Sequence, residues 1–179
     1  MSKKRYYISL ICLLMLCTTI YGVEIVTTTH NFQAMSPDKT QIEFSNGNKV
    51  AKTELLTYTC TNEATFGQYT NVTPSPICIL MKQSNATVTT TQIDNLKEID
   101  IYHYPQEDLS SRIVVSISTD GKNWEKLQVK NQVSVYVRAT MPATGDYYVR
   151  IERSGKDYYI HKIEYTTEKC ACFPYIKPE

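Results

Sequence analysis

Apolar and polar residues alternate with a period of two along much of the chain, which is typical of strands that bury one face. The clearest run is Ile113, Val115 and Ile117, whose side chains would share one face of a strand. Comparable runs bounded by turn-forming residues recur at 24–29, 41–44, 55–59, 77–82, 86–91, 96–101, 127–129, 133–137, 147–151 and 159–165. No stretch has convincing helical periodicity. The pattern predicts an all-β fold, a two-sheet antiparallel β-sandwich of the jelly-roll type.

Two turn signals divide the C-terminal half of the chain. Asp120-Gly121 follows one predicted strand, and its glycine supplies the positive φ that a hairpin turn needs. Gly145-Asp146 precedes another strand and predicts a second turn. Trp124, the only Trp, lies just past the first turn, and we expect its ring to close one end of the core. The alternation further predicts burial of Ile113, Val115, Ile117, Val149 and Ile151.

The N-terminus has the organisation of a secretory signal peptide. Lys3, Lys4 and Arg5 form a basic segment, an apolar run covers residues 8–16, and Gly22 offers a small residue for cleavage. This apolar run is shorter than a bilayer-spanning helix requires, and no second run of spanning length follows. We therefore expect residues 1–22 to be removed and the mature chain to be secreted, periplasmic or held at the cell surface. Lipidation at Cys17 is the alternative, which the Leu16 before it disfavours.

The mature chain, residues 23–179, is long enough for one domain with a proper core. We expect a single β-sandwich with its core at about 24–166 and a short cysteine-containing tail at 167–179. Cleavage removes three of the 19 basic residues and none of the 18 acidic ones, which leaves 16 against 18 and a net charge of −2. Without a basic patch, nucleic acid is not expected as a partner.

Four cysteines remain after cleavage, an even number that suggests disulfides in a secreted chain. Cys60 and Cys78 flank a loop with Gly and Pro residues, and a bridge between them is predicted. Cys170 and Cys172 are too close for a relaxed bridge along a strand. One of them pairs elsewhere, or a strained turn joins them. A metal site is a weaker alternative, because a C-x-C run without a second cluster lacks four ligands.

Three motifs occur in order near the C-terminus: S-x-D-G-x-x-W at 118–124, G-x-Y-Y-V-R-I at 145–151 and an aromatic strand at 158–165. This order resembles the discoidin-like or galactose-binding-like β-sandwich. The middle of the chain, from Leu56 to Ile99, looks like a secreted β-sandwich module of polysaccharide-degrading bacteria. Such modules are usually joined to pectate-lyase-type or other carbohydrate-active enzymes, whereas here we expect the module to stand alone.

The resemblance implies a protein that binds, often a glycan, and rarely does chemistry itself. It also implies that Trp124 is a core residue, although an exposed Trp124 could stack on a sugar ring. No cofactor is expected from the sequence, apart from a structural Ca²⁺ of the kind that many discoidin-like domains hold. Asp100 and Asp120 are the candidate ligands for that ion, although nothing in their spacing demands it.

The best local candidate for ligand contact is Tyr102, His103 and Tyr104, where a strand gives way to a loop before Pro105. Tyrosine offers a flat apolar face and a hydroxyl, which suits sugar binding. His103 or Arg112 would orient hydroxyls or a carboxylate of the ligand. The structural alternative is that loop-end aromatics only seal one end of the sandwich.

Catalytic motifs are scarce in the sequence. It has no nucleophile elbow, no zinc-protease motif and no phosphate-binding glycine loop. Glu98 and Asp100 share one strand face and could act as an acid–base pair on a glycoside, but two such carboxylates are more often solvated. We therefore expect a non-catalytic module that binds extracellular carbohydrate. A protein-interaction or cell-surface adhesion domain of the same fold is the main rival, and a small glycan-cleaving enzyme is the third hypothesis.

Overall fold

The computed structural model describes residues 22–32, 49–53, 56–68, 77–82, 85–105, 113–132, 135–155 and 157–171. Within these ranges the chain forms strands and turns and no α-helix. The strands are β1 (Gly22–Asn31), β2 (Val50–Lys52), β3 (Thr57–Thr61), β4 (Ala64–Gln68), β5 (Ile77–Met81), β6 (Thr87–Thr90), β7 (Ile93–Tyr104), β8 (Ile113–Ser118), β9 (Glu125–Leu127), β10 (Val129–Gln132), β11 (Tyr136–Arg153) and β12 (Tyr158–Ala171).

The chain divides into two compact units. The larger unit comprises residues 25–168 and holds the core. The smaller unit comprises residues 1–24 and 169–179, of which the structure describes 22–24 and 169–171. The predicted signal peptide and Cys17 fall almost wholly outside the described residues, as does Cys172. A search of the described residues finds no helix long and apolar enough to cross a membrane.

The strands form two antiparallel sheets that share β11. In the first sheet, β4, β5, β12, β7, β11 and β10 follow one another, and β1 pairs with β12. In the second sheet, β2, β3, β6, β11, β8 and β9 follow one another. The N-terminal part of β11 pairs with β7, and its C-terminal part pairs with β6 and β8. The predicted all-β, antiparallel fold is confirmed.

The turn predicted at Gly145-Asp146 is wrong. These residues lie inside β11, a continuous strand of 18 residues. The pairing of β11 with β7 shifts register on both sides of Gly145, as at a β-bulge. Asp146 accepts a hydrogen bond of 2.8 Å from the backbone N–H of Asn95 and so ties the irregular segment to β7. A glycine inside a strand marks a bulge as readily as a turn, and here the bulge precedes the part of β11 that joins the second sheet.

The core lies between the inward faces of the two sheets. Ile113, Val115, Ile117, Val149 and Ile151 are all buried, as the alternation predicts. Both sheets contribute further large side chains with almost no exposed surface: Tyr58, Phe66, Ile79, Met81, Leu96, Ile99, Ile101, Tyr158 and Ile160. Burying one such side chain contributes about 1.5–3 kcal/mol to folding, so this set is the main source of stability.

The expectation that Trp124 closes the core is wrong. Its side chain is half-buried and does not belong to the buried core cluster. The guanidinium carbon of Arg150 lies 4.4 Å from the centroid of its ring. Arg150 pairs across the strands with Ser116, on the side of the second sheet opposite to Val149 and Ile151. The ring therefore packs on an outer face, where a cation can cover it.

The predicted Cys60–Cys78 disulfide is also wrong, since both cysteines are free and buried. Cys60 is on β3 in the second sheet and belongs to the core cluster. Cys78 is on β5 in the first sheet, next to the core residue Ile79. Successive residues of a strand point to opposite faces, so Cys78 points away from the core that Cys60 faces. Spacing along the chain indicates a bridge, but the two strands belong to different sheets.

Candidate functional site

The structure separates the three consecutive residues predicted to contact a ligand. On β7, His103 has no exposed surface and lies on the core side, in phase with the buried Ile99 and Ile101. Tyr102 and Tyr104 are half-buried and point to the opposite, outer face of the first sheet. The predicted Arg112 lies outside the described residues. Ligand contact by Tyr102 and Tyr104 therefore stays a prediction for the outer face, and His103 is placed behind it.

Four rings from three neighbouring strands meet on this outer face, and we call them the aromatic face: Tyr136 of β11, Tyr102 and Tyr104 of β7, and His161 of β12. The ring centroids of Tyr102 and Tyr136 are 4.7 Å apart, because these residues are direct cross-strand partners. The Tyr104 and His161 rings are stacked at 4.5 Å. His161 also meets Tyr102 edge-on at 6.2 Å. The rings thus form one continuous group.

A bulge in β12 brings two consecutive side chains to the same face. Ile160 pairs with His103 and Lys162 pairs with Tyr102, which leaves His161 as the extra residue. His161 stacks on Tyr104, and the Lys162 ammonium lies 3.5 Å from the centre of the Tyr102 ring. Without the bulge, strict alternation would direct one of these two side chains into the core.

Hydrogen bonds that meet at Glu164 hold the Tyr102 ring in place. Its hydroxyl donates a hydrogen bond of 2.7 Å to Glu164 Oε2. Lys162 and Thr29 donate to the other carboxylate oxygen, at 3.0 and 3.2 Å. Burial alone would raise the pKa of Glu164, but the hydrogen bonds from Tyr102 and Lys162 outweigh it and lower the pKa. Burial and the Glu164 carboxylate together raise the pKa of Tyr102, so this hydroxyl stays a donor.

The two carboxylates proposed as an acid–base pair are both held by one arginine. Arg138 donates from Nε and Nη2 to the two oxygens of Asp100, at 2.7 and 2.6 Å. Its Nη1 lies 3.2 Å from Glu98 Oε1. The hydrogen bonds that Arg138 donates to Asp100 raise the pKa of Arg138, so the guanidinium stays charged. This geometry favours a bidentate ion pair over a pair of carboxylates ready to exchange protons.

His161 is uncharged at neutral pH. Burial, Lys162 and His103 lower its pKa from 6.5 to about 4, with burial as the largest cause. The stacked Tyr104 and His161 rings therefore present an aromatic surface without a charge of its own at pH 7.

His103 binds the backbone behind the aromatic face. Its Nδ1 lies 3.0 Å from the carbonyl oxygen of Pro105, so Nδ1 carries the proton and donates. This contact fixes the end of β7 where the chain leaves the sheet, and a role in positioning Tyr104 fits the geometry better than direct contact with a ligand.

The two aspartates suggested for calcium lie in different sheets. Asp100 lies on β7 and is bound to Arg138 of β11. Asp120 lies in the β8–β9 turn, where its carboxylate accepts hydrogen bonds from Ser118, Lys122 and Asn123. Across the described residues, no group of three or more His, Cys, Asp or Glu side chains is placed to hold a metal ion. The structural Ca²⁺ stays a prediction.

Four residues of this face lie outside the ligand-contact set that the sequence predicts: Tyr136, Arg138, His161 and Lys162. For Arg138 the sequence suggests either an ion pair with acids across the sheet or contact with a ligand carboxylate, and the structure shows the ion pair with Asp100. The register of β7 against β11 and β12 brings all four to Tyr102, Tyr104 and Asp100. That register depends on partners more than 30 residues away in the sequence, as in the 38-residue separation of Arg138 and Asp100. The aromatic and cationic residue types were the only local signal.

No family model and no curated protein matches the sequence. Among solved structures, CpGH89CBM32-6 produced by Clostridium perfringens is similar at 14% sequence identity and a TM-score of 0.43, covering 63% of this chain and 94% of that chain. A two-domain esterase (CEX) active on acetylated mannans is similar at 10% identity and a TM-score of 0.40, covering 76% of this chain and 39% of that chain. Both likenesses are too distant to carry an argument about ligand or activity, and a link to pectate-lyase-type enzymes stays a prediction.

Proposed function

We propose that the mature chain is a secreted, non-catalytic module that binds extracellular carbohydrate on the aromatic face. The observation that supports this most directly is the contact of Tyr136, Tyr102, Tyr104 and His161 across three adjacent strands. Flat rings bind the apolar C–H faces of sugars, and bordering polar groups bind their hydroxyls. Rigid strands hold the rings in one arrangement, so little side-chain entropy is lost when a ligand binds.

The state of the carboxylates supports binding over catalysis. Asp100 gives both oxygens to Arg138, and its side chain is only 9% exposed. Glu98 is in the same ion pair. A glycoside hydrolase needs one carboxyl group that donates a proton and one that attacks or activates water. Here the donors of one guanidinium bind both oxygens of Asp100 and contact Glu98, so the geometry places neither carboxylate as a free acid–base group.

A protein-interaction or adhesion role is the second candidate. Tyrosine and arginine are enriched where protein interfaces have their strongest contacts, and Tyr136 with Arg138 supplies both. The two candidates differ in what binds the same face, so a single set of variants distinguishes them.

The central experiment replaces Tyr104 by Ala and measures binding to a glycan array and to immobilised polysaccharides. We expect about a tenfold loss of affinity, the size of one good aromatic contact, with an unchanged circular-dichroism spectrum and a variant that stays folded at the temperature of the assay. Tyr148→Ala is the matched control, because Tyr148 is also half-buried but lies on the second sheet, opposite Ser118. Its glycan affinity should stay at the wild-type level.

Two results would overturn the proposal. If the wild-type protein binds no member of a broad glycan panel, the carbohydrate-binding function is wrong and the interaction role replaces it. If Tyr104→Ala and Tyr148→Ala lose glycan affinity equally, the site is not the aromatic face.

Secretion has its own test. Expression from the native start should yield an extracellular or periplasmic protein whose first residue is Val23. Retention of Met1 on a cytoplasmic protein would contradict this part of the proposal.

A further inference from the structure

We propose that the aromatic face selects neutral glycans and discriminates against carboxylated or sulfated ones. This inference rests on the carbohydrate-binding function proposed above and names its ligand class. It follows from the charges that border the rings. The carboxylates in contact with this face are Glu98, Asp100 and Glu164, and the ion-paired cations are Arg138 and Lys162. The exposed Lys130 of β10 lies directly opposite Arg138 on the same face.

Arg138 is the cation best suited in shape to a ligand carboxylate, but its donors already have acceptors. Nε and Nη2 bind the two oxygens of Asp100, and Nη1 lies 3.2 Å from Glu98. Nη2 is also 3.5 Å from the Tyr136 hydroxyl. A ligand carboxylate would have to displace a protein carboxylate that stays nearby, so it would gain one ion pair and lose another.

Lys162 is engaged in the same way. Its ammonium lies 3.0 Å from Glu164 Oε1 and 3.5 Å from the centre of the Tyr102 ring. Arg138 and Lys162 are therefore compensated by protein carboxylates. With Lys130 the border holds three cations against three carboxylates, so it has no net positive charge to attract an anion. Lys97 and Glu168 pair with each other at 2.6 Å further along β7 and β12 and leave this balance unchanged.

The same arrangement suits an uncharged sugar. A carboxylate has about four lone-pair sites and accepts from several donors at once, so Glu98 and Glu164 can accept from sugar hydroxyls while they keep their ion pairs. Tyr104 and His161 add a stacked surface, and His161 carries no charge at pH 7, which removes a further source of attraction for an anion. Hydroxyl donors fit this border, whereas an added anion would compete with Glu98, Asp100 and Glu164 for the two cations that they already neutralise.

The experiment compares the affinity for a neutral and an anionic polysaccharide that share one backbone. Suitable pairs are hydroxyethyl cellulose with carboxymethyl cellulose, and dextran with dextran sulfate. Binding is measured at about 20 mM salt, where the Debye length exceeds about 20 Å. We expect the neutral member of a bound pair to bind at least about tenfold more tightly than its anionic counterpart. Raising the salt to about 0.5 M should shrink this ratio, because exposed charges are then screened.

Charge variants link the ratio to this face. Glu98→Gln should lower the ratio several-fold, because it removes one negative charge from the border. Glu152→Gln is the matched control, since Glu152 is also half-buried and ion-paired but lies opposite Val114 in the second sheet. It should leave the ratio unchanged.

The outcomes separate the two proposals. A protein that binds anionic members as well as, or better than, neutral ones at low salt overturns the selectivity and leaves the carbohydrate-binding function standing. Equal effects of Glu98→Gln and Glu152→Gln also overturn it, because the ratio would then reflect only net charge. Absence of binding to every polysaccharide tested overturns the carbohydrate-binding function itself.

Discussion

Trp124 and Arg150 form a stacked pair on the outer face of the second sheet. The guanidinium carbon lies 4.4 Å from the ring centroid, and the ring keeps part of its surface exposed. A cation over an indole ring contributes about 0.5–1 kcal/mol to stability at an exposed site. The partial burial of the Trp124 ring adds a further contribution. Trp124 therefore stabilises the fold less than its size alone indicates.

Replacing Trp124 by Ala should lower the free energy of unfolding by about 1–2 kcal/mol. Ile151→Ala, at a core position with 1% exposure, should cost more, about 2–5 kcal/mol. Urea denaturation of both variants measures the difference. A loss for Trp124→Ala as large as that for Ile151→Ala would show that the ring is a core residue after all.

The two buried thiols should be unreactive in the folded protein. Burial raises the pKa of Cys60 and of Cys78 to about 12, so little thiolate is present at pH 8. We expect iodoacetamide to modify both residues in urea and neither under native conditions, as read by peptide mass mapping. A Cys60–Cys78 cross-linked peptide from the non-reduced, secreted protein would contradict the free thiols.

At the scale of one element, the β8–β9 turn is held by Asp120. Its Oδ1 accepts from the Ser118 hydroxyl and from the backbone N–H groups of Lys122 and Asn123, each at 2.8 Å. These backbone hydrogen bonds, with the side chains of Ser118 and Asn123, lower the pKa of Asp120. The turn is thus closed by hydrogen bonds among its own residues.

Gly121 is the residue of this turn that tolerates change least. Its φ is +70°, a conformation that costs an L-residue roughly 1–2 kcal/mol. An added Cβ would meet the Tyr148 ring only at 3.8 Å, an ordinary contact, so the penalty comes from the backbone. Gly121→Ala should lower the free energy of unfolding by about 1 kcal/mol, whereas the exposed Lys122→Ala should stay within about 0.5 kcal/mol of wild type. Equal stability of the two variants would refute this.

Across the whole molecule, buried imidazoles couple folding to pH. Burial lowers the pKa of His30, whose Nδ1 lies 2.6 Å from the Tyr58 hydroxyl in the core. His161 has its pKa lowered to about 4 on the aromatic face. In both cases the unfolded chain takes up a proton near pH 6.5, whereas the folded chain resists it. Acidification below that value therefore favours the unfolded state.

The free energy of unfolding should fall as the pH decreases from 7 to 5, a window above the usual range of the carboxylates. His161→Phe keeps a ring against Tyr104 but cannot take up a proton. Between pH 7 and 5 its free energy of unfolding should therefore fall less than that of the wild type, by on the order of 1 kcal/mol after allowance for the exposed part of the ring. Urea denaturation at a series of pH values measures it. An identical slope in the variant would show that His161 titrates normally in the folded protein.

The sequence by itself determined which strand residues face inward and where one tight turn lies. Ile113, Val115 and Ile117 are buried as their alternation predicts, and Asp120-Gly121 forms a turn, because side-chain direction and backbone preference are local properties. The same alternation separates Tyr102 and Tyr104 from His103.

Only the tertiary structure decided which strands are neighbours. The two thiols at Cys60 and Cys78 are close in sequence but lie in different sheets, and Gly145 continues a strand where a turn was predicted. Tyr136 and His161 reach the β7 tyrosines through cross-strand register and a bulge in β12. Pairing of this kind depends on contacts between distant segments and on burial of a shared face, and no single segment carries that information.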